Sequence, residues 1–155
     1  MHSEMPHANE MAHTLQLWLN LPAKMKMMPA RYVNQSAADV PVRKENGVEV
    51  RVYAGKSGDA EQKHGSDWPM MLLDVRVEAG KMLFQDIPSM YRGFVYVLEG
   101  SGRMGAGGTP VTTLGGTDDN AWNTWSAYEV KTAGGATPAI SVQNMPMCLR
   151  RICLP

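Results

Sequence analysis

Short alternations of apolar and polar residues, cut by glycine and proline, run through the chain and predict strands rather than helices. The clearest is Val42-Arg43-Lys44-Glu45-Asn46-Gly47-Val48-Glu49-Val50-Arg51-Val52-Tyr53. Its Asn46-Gly47 pair supplies the positive φ angles of a tight hairpin turn. Val48, Val50 and Val52 fall on one side of the second arm, Glu49 and Arg51 on the other. Leu73-Asp74-Val75-Arg76-Val77 alternates in the same way and runs into a turn at Glu78-Ala79-Gly80. Phe94-Val95-Tyr96-Val97-Leu98 reads as a more apolar strand, closed by Glu99-Gly100-Ser101-Gly102. Near the start, Leu15-Gln16-Leu17-Trp18-Leu19 predicts a strand that Leu21-Pro22 ends, because proline cannot donate to a ladder.

The intervening stretches predict less. Gln35 to Asp39 has room for one turn of helix, and Ala54 to Pro69 reads as a loop broken by Gly55, Gly58 and Gly65. No helical period is long enough to define an element. After Thr112 the local signals conflict: Gly115-Gly116 and Gly134-Gly135 interrupt, and Trp122, Trp125 and Tyr128 are the available anchors. Met145 to Pro155 is apolar again. Short strands joined by glycine turns predict an all-β, antiparallel sandwich or barrel.

Composition narrows the function classes. The 155 residues suffice for one domain or two small ones, and 44% hydrophobic with 19% charged residues excludes a disordered chain. Fifteen Lys and Arg balance fifteen Asp and Glu, which argues against direct nucleic-acid binding or an anionic membrane surface. No apolar run nears the roughly 18 residues of a membrane span, and the first residues do not show the charged-then-apolar pattern of a secretory signal. Cys148 and Cys153 are too few for a disulfide framework and lack the spacing of a zinc site. A cytoplasmic or nuclear location follows as the expectation.

Several stretches carry chemistry-bearing residues, and most have a plainer reading. Met25, Met27 and Met28 read as packing material, because no other soft ligand accompanies them. Gly102-Arg103-Met104-Gly105-Ala106-Gly107-Gly108 lacks the lysine and helix of a phosphate loop and reads as a hairpin loop. Asp118-Asp119-Asn120 lacks the alternating ligands of a calcium loop and reads as a turn. Arg150 and Arg151 could depress a thiol pKa at Cys148 or Cys153, but no histidine stands nearby to complete a catalytic pair. His64 reads as a surface residue.

Three stretches together resemble the pirin family, whose members carry two β-barrel cupin domains in one chain. They are His2-Ser3-Glu4-Met5-Pro6; then Leu15-Gln16-Leu17-Trp18-Leu19-Asn20-Leu21-Pro22-Ala23-Lys24 with Met28-Pro29-Ala30-Arg31-Tyr32; then Gly47-Val48-Glu49-Val50-Arg51-Val52-Tyr53-Ala54-Gly55. Leu73-Asp74-Val75-Arg76 and Phe94-Val95-Tyr96-Val97-Leu98-Glu99-Gly100 follow in the expected order. The resemblance covers about His2 to Val111 and implies a cupin-like fold with an incomplete first cupin and a short linker. The family pattern begins earlier, with a His-x-His pair, so the expectation is a truncated or divergent pirin. On that basis residues 1–34 are the remnant of the first, metal-type cupin and 35–70 an inter-domain segment with a β-hairpin. Residues 71–111 are then the second cupin core, and 112–155 a divergent, partly packed tail.

In the resembling proteins one iron is held in the first cupin by the early His-x-His pair and the histidine and glutamate of a His-x-Glu motif. Only His2 and Glu4 have counterparts here, and they are the expected remnant metal ligands. Residues alternating on a strand share a face, and imidazole with carboxylate suits non-haem iron. His7 and His13 lie in a segment with no strand pattern, so recruiting them would cost about 1–2 kcal/mol per residue ordered. The resemblance leaves three functional expectations: a pirin-like protein with weak or no metal chemistry, an iron-dependent quercetin (flavonol) 2,3-dioxygenase, or an iron-linked nuclear transcriptional co-regulator with protein partners. An interrupted barrel also leaves apolar surface and unpaired sheet edges, which predicts self-association through Leu15–Leu21.

Overall fold

A computed structural model describes residues 15–64, 66–88, 91–104, 109–112, 139–142 and 147–154. The chain divides into two units, Met1–Arg31 and Tyr32–Pro155.

In the first unit the described residues form no strand. The strand expected over 15–19 is not found: residues 15–19 have no regular secondary structure. Leu15 and Trp18 are exposed, Trp18 at 81%. After Pro22 the chain tightens into a 3₁₀ turn over Ala23–Met25, where Met25 N–H donates to the Pro22 carbonyl at 2.9 Å. Met27 is exposed rather than packed, so the packing role expected of this methionine cluster does not extend to it.

The second unit is built of antiparallel strands. They are β1 (Val42–Glu45), β2 (Val48–Ser57), β3 (Ala60–Gln62), β4 (Met71–Val77) and β5 (Met82–Phe84). There follow β6 (Arg92–Glu99), β7 (Ser101–Met104), β8 (Thr109–Thr112), β9 (Ala139–Val142) and β10 (Met147–Leu154). One sheet has the order β1-β2-β4-β10-β6, with β3 added to the end of β2, and the other the order β5-β9-β7-β8.

The expected hairpin forms as its sequence dictates. Glu45 pairs with Val48 across Asn46-Gly47, and Gly47 holds φ 76°. Val48, Val50 and Val52 face inward, opposite Val77, Val75 and Leu73 of β4, and all six are buried. The register slips between Val52 and Ala54, leaving Tyr53 as the extra residue of a bulge. Beyond it, the stretch expected to be loop is partly strand. β2 continues to Ser57, and Gly58, at φ 55°, turns it into β3 with Ser57 opposite Ala60. Strand β5 also carried no clear alternation in sequence, yet Leu83 is fully buried between exposed Met82 and Phe84.

The core lies between the two sheets. Val48, Val50, Val52, Met71, Leu73, Val75, Val77, Val95 and Val97 come from the larger sheet, Leu83 and Met104 from the smaller. Each such side chain contributes about 1.5–3 kcal/mol by leaving water. Gly100, at φ 83°, forms the corner between β6 in one sheet and β7 in the other. Strand β10 lies between β4 and β6, with Leu149 opposite both Val75 and Val97. The larger sheet therefore draws on the hairpin stretch, the 71–111 stretch and the final apolar stretch alike.

Candidate functional site

His2 and Glu4, the ligands carried over from the resemblance, lie outside the described residues, as do His7 and His13. Asp118-Asp119-Asn120 and the three aromatic anchors at 122, 125 and 128 are outside them too. His64 is exposed, and its backbone N–H donates to the Gln62 amide oxygen at 3.3 Å. Among the described residues no three His, Cys, Asp or Glu side chains gather closely enough to hold a metal. Cys148 and Cys153 are both on β10, at positions paired with Arg76 and Met71 of β4. Of the glycine-rich stretch expected to be a hairpin loop, Gly102, Arg103 and Met104 belong to strand β7, which pairs antiparallel with β8 with Met104 opposite Thr109, and 105–108 lie outside the described residues.

The structure assembles instead a polar cluster that sequence reasoning missed. Gln85 and Ser57 are the buried polar residues of the described chain, at 1% and 0% exposure. Ser57 ends β2 in one sheet, while Gln85 directly follows β5 in the other. The Ser57 hydroxyl donates to Gln85 Oε1 at 2.6 Å. Gln85 Nε2 donates to the Asp86 carbonyl at 2.8 Å, the Lys56 carbonyl at 3.3 Å and Met71 Sδ at 3.8 Å. Arg43 of β1 closes the cluster from outside. Its Nη1 reaches Ser57 Oγ at 3.3 Å and the Phe84 carbonyl at 3.1 Å, and its Nη2 bonds Glu45 at 2.7 Å.

This cluster is neutral at its buried centre and every heteroatom of the amide is engaged. It offers no proton donor or acceptor that titrates near neutral pH, and its geometry joins two sheets. At the other end of β1, Lys81 Nζ donates to Asn46 Oδ1 at 2.9 Å and Glu78 N–H donates to the Gly47 carbonyl at 2.8 Å. The β1 edge of one sheet is thus tied to the β5 side of the other at both ends. Sequence offered no signal for Gln85, since a buried amide and an exposed one have the same local pattern.

On the outer face, Glu49 sits between two cations. Lys44, its cross-strand partner, is 3.3 Å away and Arg51 lies at 2.9 Å. Burial pushes the Glu49 carboxyl up, but the hydrogen bonds and charges of Lys44 and Arg51 outweigh it and hold the group below the ordinary carboxylate value. Arg51 also donates to the Ala37 carbonyl at 3.3 Å, which fastens the single turn found at 36–39.

Comparison with known proteins bears on these features. No family model matches the chain. Pirin-1 of Arabidopsis thaliana is 39% identical over 100 residues, covering 64% of this chain and 34% of that protein. Human Pirin is 33% identical over 100 residues, with the same coverage of 64% and 34%. A pirin-like protein of Solanum lycopersicum is 35% identical over 112 residues, covering 72% of this chain and 38% of its own length. The chain therefore spans about a third of the length of the curated relatives it matches. In structure, GK1651 of Geobacillus kaustophilus superposes with a TM-score of 0.73 at 29% identity, over 89% of this chain and 52% of that one. Quercetin 2,3-dioxygenase of Acinetobacter baumannii superposes at 0.69 with 22% identity, over 89% and 44%, a likeness of fold. In sequence the chain is similar to pirin and pirin-like proteins over about 100 residues, and its antiparallel sheets have a cupin-like fold.

Proposed function

We propose that this chain acts as a pirin-like binding module with protein partners, in the cytoplasm or nucleus, and that it holds iron weakly or not at all. The observation supporting this reading is the lining of the space between the sheets. Val50, Val52, Leu73, Val75, Leu83 and Val95 all stand at 0% exposure there, and aliphatic side chains offer no lone pair to a cation. The polar side chains buried with them, Ser57 and Gln85, are already bonded to each other. Iron(II) takes imidazole and carboxylate donors. His2 and Glu4 are of the right chemistry, and two donors leave the remaining positions to another segment or another chain.

The test is metal content. The purified chain is loaded with Fe(II) under anaerobic conditions, exchanged into metal-free buffer and subjected to elemental analysis beside its His2→Ala variant. The expected result is far less than one iron per chain, equal in the two proteins. One iron retained per chain or per dimer, and lost in His2→Ala, would overturn the proposal. It would favour the second reading, that His2 and Glu4 belong to a rebuilt iron centre. Oxygen consumption with quercetin would then be the activity to measure, and redox-dependent partner binding the regulatory one.

A further inference from the structure

The turn that joins β1 to β2 has a chemistry beyond its shape. Of the chain's asparagines, Asn46 alone is followed by glycine. Asn46 is exposed, and Gly47 has no side chain to screen its backbone nitrogen from the Asn46 amide carbon. Two charged groups flank the pair. The Lys81 ammonium donates to Asn46 Oδ1 at 2.9 Å. Glu78 N–H donates to the Gly47 carbonyl at 2.8 Å, and Glu78 Oε2 lies 2.7 Å from where a Cβ at 47 would stand. Lys81 Cγ lies 2.6 Å from the same point, so a side chain at 47 would displace both neighbours. The fold therefore keeps glycine after Asn46 and holds an acid and a base beside the two residues.

We propose that Asn46 is a covalent modification site, which converts through a cyclic imide to aspartate and isoaspartate with Lys81 activating its amide. Gly47 N attacks Asn46 Cγ and the N–Cγ bond forms, while the Cγ–Nδ2 bond breaks. The proton lost by Gly47 N passes by way of the Glu78 carboxylate to the leaving nitrogen, which departs as ammonia. Water then opens the imide at either carbonyl, and nothing is oxidised or reduced. Negative charge grows on Oδ1 as the N–Cγ bond forms. Lys81 already donates to that atom, and a charge-assisted hydrogen bond strengthens as the charge develops. The aspartate product keeps the chain length and gives Lys81 a carboxylate partner. The isoaspartate product adds a methylene to the main chain inside a two-residue turn, across which Glu45 must still meet Val48. Asn46–Lys81 is also one of the ties between the β1 edge and the β5 side, as Arg43 on the Phe84 carbonyl is another. Conversion at 46 thus alters the joint between the sheets. The inference does not depend on iron or on a partner, so its failure would leave the function proposed above standing.

The experiment follows the full chain during incubation in heavy-oxygen water over a series of pH values. Peptide mapping by mass spectrometry reads label at Asn46 and at Asn20 and Asn34, exposed asparagines followed by Leu21 and Gln35. Isoaspartate is read separately, by methyl transfer from S-adenosylmethionine with an isoaspartyl methyltransferase. The expected result is label and isoaspartate at residue 46 and not at 20 or 34, formed faster as pH rises because the attacking nitrogen must lose its proton. Lys81→Met keeps the stem without the charge and is expected to convert more slowly by about threefold or more. Lys81→Arg is expected to recover the rate, and Glu78→Gln to lower it. Thermal melts check that each variant is folded. Conversion at Asn46 no faster than at Asn20 and Asn34 would overturn the inference. So would a rate unchanged or raised in Lys81→Met, which would make the 2.9 Å contact a clamp that protects the amide.

Discussion

Gly55 and Gly80 hold similar positive φ angles, 80° and 74°, but a methyl group would meet different surroundings at each. At Gly80 nothing lies within 4 Å of the Cβ position, so Gly80→Ala carries only the backbone cost of the left-handed region, about 1–2 kcal/mol. At Gly55 the same atom would stand 2.7 Å from the Met70 carbonyl oxygen, a backbone atom that cannot swing away. Gly55→Ala is therefore expected to lower stability by more than Gly80→Ala, and urea melts of the two variants measure the order. Ser57→Ala is expected to cost about 1–3 kcal/mol, because Gln85 Oε1 loses its hydroxyl donor inside the protein. Equal stability of Ser57→Ala and the unaltered chain would show that the cluster does not join the sheets. At this scale sequence was informative where a cause was local. Gly47 announced itself through the Asn-Gly pair of a hairpin. The need for glycine at 55 arises from the carbonyl of Met70, far along the chain, and no local pattern encodes it.

At the scale of elements, the hairpin β1–β2 carries its own pH dependence. Glu49 is held below its ordinary value by Lys44 and Arg51, so it stabilises the folded state at neutral pH and loses that contribution as pH falls through the lowered value. The expected difference in unfolding free energy between the unaltered chain and Glu49→Gln is at most about 1 kcal/mol at pH 7. It should shrink on acidification below the ordinary glutamate range, and denaturant melts at a series of pH values would read it. A difference that grew with acid would contradict the geometry. Strands with period-two alternation, β2 and β4, were legible because one face of each is buried. Leu15–Leu19 has the same alternation and no strand, because periodicity specifies a face and not a ladder partner. Strands β5 and β9 escaped notice for the opposite reason: three or four residues are too few to display a period. His2 and Glu4 were legible only through the family resemblance, because no local pattern marks a two-residue ligand pair, and both lie outside the described residues.

For the molecule as a whole, stability rests on two sheets sharing one aliphatic layer. Leu83 is a main contribution of the small sheet to that layer, and Leu83→Ala is expected to cost about 2–5 kcal/mol, read as a lowered denaturation midpoint. The all-β class and the facing sheets followed from strand patterning alone. The position of the final strand did not, because sheet order is set by contacts between residues far apart in sequence. Strand β10 lies between β4 and β6, where Cys148 pairs with both Arg76 and Glu99. That placement has a kinetic consequence. The larger sheet is not a stack that grows from one edge, since β4 and β6 acquire their common neighbour only when residues 147–154 arrive. The intervening chain must close as one long loop before the central ladder bonds form, which slows folding and raises the barrier's dependence on topology. Until then β4 and β6 each present an open, aliphatic strand edge, so this step is where refolding yield should fall most steeply with protein concentration.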